Sequence, residues 1–103
     1  MTTNKIDYEK IVLTVNRCAG CDLRSPWRTA KVVTARDVAT ALMWDAGMSG
    51  NAIAGAIGRD RTTVVASQHR ITAMRAFPKQ FPEFHELFSR SRAALNTNAY
   101  VLH

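Results

Sequence analysis

From Tyr8 the apolar positions fall at Tyr8, Ile11, Val12, Val15 and Ala19, with Cys18 beside them. Steps of three and four keep such residues on one stripe of an α-helix, and the run predicts a helix over about residues 5–20. Ser25-Pro26 then interrupts the pattern, so about residues 22–33 read as a loop. Thr34 with an acid three positions on, Asp37, resembles a capping box; Ala35, Val38, Ala39, Leu42 and Ala46 follow as an apolar face that closes at Gly47. A second helix is expected over about 35–46.

Ser49 can cap a short helix over about 50–57 that holds Ile53, Ala54 and Ile57, with Gly58 placed to supply a left-handed turn. Asp60 can cap a longer one over about 61–76, with Val64, Ser67, Ile71 and Met74 on its buried side. Phe77-Pro78 ends that run, and Phe81-Pro82 either prolongs the break or opens a last helix over about 82–95. Phe84, Leu87, Phe88 and Ala94 or Leu95 would face the other helices, leaving a loosely held tail over about 96–103. Nothing alternates with period two for long enough to form a sheet, so the pattern predicts a single all-α domain of four to five helices.

Two of those helices have a particular spacing. Ala54 stands four residues before Gly58 and Val64 six after it, the first helix is short, and the pair reads as a central helix-turn-helix. A small residue at 54 lets the second helix approach, while Ile53, Ile57 and Val64 lock the two together. Arg61, Thr62, Val65 and Ala66 would then point away from the core, where they could enter a major groove.

Charge changes the picture most in the middle of the chain. The formal net charge is +6, and the stretch from Arg24 to Lys79 carries all of it, with nine basic residues against three acids. The rest holds five of each. Arg59 and Arg61 flank Asp60 at a helix start, where the dipole favours anions, so both cations have the locally wrong sign and point to a polyanion outside the chain. Nucleic acid is the leading partner and a membrane surface the weaker one. No stretch approaches the roughly 20 apolar residues of a membrane-spanning helix, and the N-terminus lacks a signal-peptide core, so a cytoplasmic, nucleoid-associated location is expected.

Candidate chemistry adds little. Cys18 and Cys21 form a C-x-x-C, compatible with zinc, redox chemistry or neither; His69, His85 and His103 lack zinc-finger spacing and no strand precedes the pair. Two reduced thiols near a helix end, one facing the core, are expected, with no cofactor. No paired carboxylates, Ser-His or Cys-His arrangement suggests catalysis, nor does a glycine-rich phosphate loop suggest nucleotide hydrolysis, so neither enzyme activity nor a small-molecule substrate is expected. Trp27 reads as a lid on the core in preference to a base-stacking platform, Trp44 as partly buried, and Met43, Met48 and Met74 as core or rim fillers.

The residues Arg59-Asp60-Arg61-Thr62-Thr63-Val64 resemble the signature of the C-terminal DNA-binding domain of the bacterial replication initiator DnaA, in which arginine, aspartate, histidine and two threonines open the recognition helix. The likeness extends back through the Ala35 to Ala54 region and the basic loop from Arg24 to Lys31, covering roughly residues 6–76. It implies a fold of the Trp-repressor-like kind, with Asp60, Arg61, Thr62 and Thr63 at base edges or the thymine methyl. The loop, with Arg24 and above all Arg28 or Lys31, would reach an adjacent minor groove, and Arg36, His69 or Arg70 would hold phosphates. Two departures bear on specificity: Arg61 stands where the family has histidine, and the turn has one glycine fewer. Arginine favours a bidentate contact to guanine, so the preferred site is not expected to be the initiator's own.

The resemblance thus implies sequence-specific binding of double-stranded DNA in transcriptional regulation, in a setting such as phage-like regulators or gene-transfer-agent activators. The alternatives are a replication accessory that binds initiator-type boxes, or a protein-interaction module whose helical hairpin docks on RNA polymerase or another transcription or replication protein, with shifts in the Phe81 to Leu95 helix on titration as its mark.

Overall fold

The computed structural model describes the backbone of residues 7–101 and the side chains through Asn96. Five α-helices follow one another, α1 (Tyr8–Ala19), α2 (Ala30–Asp45), α3 (Gly50–Ile57), α4 (Arg61–Ala76) and α5 (Pro82–Val101), with a single 3-10 turn at Pro78–Gln80 between the last two. No strand occurs among the described residues, and no helix there is long and apolar enough to cross a membrane.

The helix ends follow local chemistry. Asp7, Thr29, Ser49 and Asp60 each accept a hydrogen bond from the backbone N–H three residues on, which satisfies a donor that the first turn leaves without a partner. Gly20 and Gly58 close α1 and α3 in the left-handed region, at φ 71° and 70°, which costs glycine nothing and any other residue about 1 kcal/mol or more.

The second helix begins five residues before the expected Ala35. Thr29 caps it through a 3.3 Å bond from Val32 N to Thr29 Oγ1, and Thr34 lies inside the first turns. Asp37 makes no capping box because its carboxylate is buried and turned to Arg70 on α4. The loop is therefore Gly20 to Thr29, and Lys31 belongs to a helix. At the other end of the chain α5 continues to Val101, through positions expected to be tail; residues 102–103, and residues 5–6 of the first expected helix, lie outside the described residues.

Helix α2 is the axis of the fold, in contact with α1, α3, α4 and α5. Every residue from Ala35 to Met43 is buried, so it has no single apolar face; Ala46, expected on one, is exposed. A helix enclosed on all sides needs small residues where neighbours come close, and Ala35, Ala39 and Ala41 supply them. It also carries polar residues inward, and Thr40 meets its own need by donating to the Arg36 carbonyl at 2.8 Å.

Helices α3 and α4 meet over Ile53, Ile57, Val64 and Ile71, all fully covered. Each such side chain contributes about 1.5–3 kcal/mol relative to an exposed one, so packing sets the angle of α4. Helix α5 packs on α1 and α2 through Phe84 and Leu87, and His85 Nε2 lies 2.8 Å from the Met74 carbonyl, tying the start of α5 to the end of α4. Tyr8, read as part of the apolar stripe of α1, is exposed; Ile11, Val12, Thr14 and Val15 form the buried face.

Candidate nucleic-acid interface

Three residues, Gly58, Arg59 and Asp60, join α3 to α4. The N–H groups of Gly58 and Arg59 both donate to the Ala54 carbonyl, closing α3 within one turn of chain. Asp60 Oδ1 then accepts from Thr63 N at 2.8 Å and opens α4. That backbone donor, with the Thr63 hydroxyl behind it, holds the Asp60 carboxyl below its ordinary range, so the group stays ionised although it is fully exposed. Beyond the turn, Thr62, Val65, Ala66 and His69 share the outward face of α4 with Ala73, a strip of small or narrow side chains. Arg61 borders this strip, exposed and without an ion-pair partner among the described residues.

The α1–α2 loop is held beside this turn by arginines from three elements. Asn16 Oδ1 first accepts from Leu23 N at 2.9 Å, turning the chain back after α1. Arg24 places Nε and Nη2 at 2.9 and 2.6 Å from the Ala56 carbonyl and pairs with Glu9 at 2.6 Å. Arg36, reaching out of α2, donates to the carbonyls of Leu23 at 3.2 Å and Ser25 at 3.0 Å. Arg59 donates to that same Ser25 carbonyl at 2.6 Å. Two guanidinium groups thus converge on one oxygen. Burial, and after it the neighbouring Arg59 charge, lowers the pKa of Arg36 from the ordinary arginine value. The pair gains from its shared acceptor and loses from its like charge, and an anion set against it would relieve that repulsion.

Arg36 and Arg59 border a groove made of two adjoining depressions that share Arg28, Arg36 and Thr63. Its first part is lined by Pro26, Arg28, Arg36, Arg59 and Thr63, and a second part of about 550 Å³ runs on past Val33, Thr62, Ala66 and Arg70. Arg70 forms its wall while held from behind, Nε and Nη2 lying 3.2 and 2.9 Å from the Asp37 carboxylate and Nη2 3.0 Å from Ser67 Oγ. The hydrogen bonds to Asp37 raise the Arg70 pKa. A bidentate pair with one partner buried fixes direction as well as charge.

Of the expected contact residues, the structure brings together Arg28, Arg36, Arg59, Thr62, Thr63 and Arg70 around the groove, with Asp60 and Arg61 at the turn beside it. His69 lies away from the groove, in a shallow depression of α4 with Trp44, Val65, Gln68 and Thr72. Two residues do not join. Arg24 is occupied by Glu9 and the Ala56 carbonyl, and Lys31 lies on a different surface of α2, with Cys18, Glu83, Glu86 and Arg90. The cause is the earlier start of α2, which takes Lys31 out of the loop and turns it toward α1 and α5. Arg59 lines the groove while donating to an internal carbonyl, as Arg36 does.

Sequence reasoning missed Val33 as groove lining and Asp37 as the anchor of Arg70. An Arg-Asp dipeptide inside an otherwise apolar helix was the available signal for the second. Trp27, read as a lid, is 71% exposed. Cys18 and Cys21 are free and half-buried, with burial raising the Cys21 pKa. No group of three or more metal-ligating side chains occurs among the described residues.

A scan against family models finds no match for this chain, and a search of curated proteins also finds none.

Proposed function

We propose that this chain is a sequence-specific double-stranded DNA-binding domain in which α3, the Gly58 turn and α4 act as a helix-turn-helix. In this reading α4 lies in the major groove. The observation that carries the proposal is the pairing of a narrow outward strip on α4, Thr62, Val65, Ala66 and His69, with cations on either side of it. A helix of about 10–12 Å diameter, side chains included, matches a major groove about 12 Å wide. Arg28, Arg36, Arg59 and Arg70 on one side then fall where a phosphate backbone borders the groove, Arg61 on the other side is left for base edges, and the converging Arg36 and Arg59 suit an anion.

Base reading falls to Arg61, Thr62 and Thr63, with Asp60 free to accept from a cytosine amino group through the oxygen that does not cap the helix. The protein would serve transcriptional regulation at a site of its own, since Arg61 replaces the histidine of the initiator signature and arginine prefers guanine.

Selection from random duplexes, followed by titration of the selected site over a range of salt, tests this. The expected result is an enriched motif containing guanine, with affinity that falls steeply as salt rises. Arg61→Ala should cost about 1–3 kcal/mol at one base position. Affinity indifferent to salt, or to Arg61→Ala, would reject the proposal, and enrichment of initiator-type boxes would assign the domain to replication.

A further inference from the structure

Steps of three and four place Glu83, Glu86 and Arg90 together on the outward side of α5, all exposed, above the buried Leu87. Two acids within one turn repel each other, and a cation one turn beyond Glu86 is placed to relieve them. Arg90 does not do so. Its Nη2 donates to the Cys18 carbonyl at 3.2 Å, and among the described residues none of Glu83, Glu86, Arg90 or the adjacent, exposed Lys31 is in an ion pair. Four charges of balanced sign thus surround one depression of about 380 Å³ between α1, α2 and α5, and the chain does not spend them on one another.

The charge of this face selects what can cover it. A polyanion is repelled by Glu83 and Glu86, and a basic surface by Lys31 and Arg90. Copies of a chain of net charge +6 repel one another in general, but here the two signs cancel. The register of α5 makes the face complementary to itself. Glu83 and Arg90 are separated by about 10 Å along the helix axis. A two-fold axis passing between Glu86 and Leu87 runs a second α5 antiparallel to the first, and sets each Glu83 opposite Arg90 of the other copy. A parallel alignment would instead set Glu83 on Glu83. Ala19 at the end of α1 and Ala30 at the start of α2 are small, and leave room beside Leu87 for an approaching side chain.

We infer that this face is a homodimer contact, in which two copies pack their α5 helices antiparallel and pair Glu83 of each with Arg90 of the other. Lys31 and Glu86 border the contact. It forms without DNA and leaves the α4 groove open, because that groove lies on a different surface of α2. The inference therefore stands or falls separately from the function proposed above.

Sedimentation velocity of the full chain in buffer without DNA, over a wide range of concentration, tests it. The expected result is a mass that rises from that of one protomer toward that of two, with association that weakens as salt rises. Glu83→Arg or Arg90→Glu alone sets like charges opposite each other and should weaken dimerisation by about ten-fold or more. The double variant, with the charges exchanged, should return to within about three-fold of the parent. Amide shifts of the labelled parent on dilution, which need no variant, should fall at Lys31 and Glu83 to Arg90. A chain that is monomeric at every concentration, or a dimer whose dilution shifts lie elsewhere, overturns the inference. So do single variants that dimerise as the parent does, or a double variant as weak as the singles.

Discussion

Two depressions of this small molecule are both lined with cations, yet their electrostatics differ. Between α1, α2 and α5, Lys31 and Arg90 share a surface with Glu83 and Glu86, so two positive charges meet two negative ones over the apolar Ala19 and Leu87. Beside α4, Arg28, Arg36, Arg59 and Arg70 line a groove whose one nearby internal acid, Asp37, is buried behind Arg70. A count of basic residues would rank the two surfaces closer than they are. What matters is where the acids sit, and whether a cation's partner is a carboxylate or a neutral carbonyl. Arg36 and Arg59 are oriented by carbonyls, which direct a guanidinium without cancelling its charge, so the groove keeps its field while its arginines are fixed.

The strongest way to break this contrast is to remove Asp37. The Arg70–Asp37 pair is buried on the Asp37 side and half-exposed on the other, so Asp37→Ala leaves a guanidinium without its anchor. A loss of about 2–3 kcal/mol in unfolding free energy is expected, below the full cost of breaking a buried pair because water reaches Arg70. Urea denaturation measures it. A variant as stable as the parent would show that Asp37 anchors nothing.

A smaller effect sharpens the contrast directly. Arg28→Ala and Arg90→Ala each delete one positive charge, the first from the α4 groove and the second from the balanced surface. The first should lower the slope of log affinity against log salt by about one unit, and the second should leave it unchanged. Equal changes would mean that the duplex responds to net charge and not to a particular face.

The smallest effect expected is that of pH through Asp60. Its carboxyl is held below the ordinary range in the folded chain, by the Thr63 N–H first, so the stabilisation is present at neutral pH. It is lost as pH falls through the folded-state value and the oxygen takes up a proton. Asp60→Asn keeps a capping oxygen that does not titrate, and its stability should therefore fall less than the parent's in acid. Thermal unfolding across the acid range gives the comparison; parallel curves would contradict the cap assignment.

These residues also show how far a sequence can be read. Ser49, Gly58 and Asp60 act within three or four residues of themselves, and their backbone chemistry is visible in the letters alone. The start of α2 was not legible, because Asp37 looks like a capping acid until Arg70, 33 residues away, is brought against it. The positions of Arg24 and Lys31 away from the groove were hidden for the same reason. The carbonyl that engages Arg24 belongs to Ala56, 32 residues on, and Lys31 was reassigned by a helix that begins early. Trp27 was misread because whether a loop folds over a core or stands away from it depends on which distant groups brace it. Local donors and periodicity can be read from a sequence; the partners of long cationic side chains cannot, and a charged groove is made of such partners.

Titrating the isotopically labelled protein with the selected duplex, and mapping backbone amide shifts, tests the central claim most directly. Binding through the α4 groove predicts that Arg59 to His69 and the loop from Arg24 to Arg28 move together and saturate together, while Glu83 to Arg90 stay still. Shifts centred on Glu83 to Arg90, or a protein unmoved by any duplex, would contradict it.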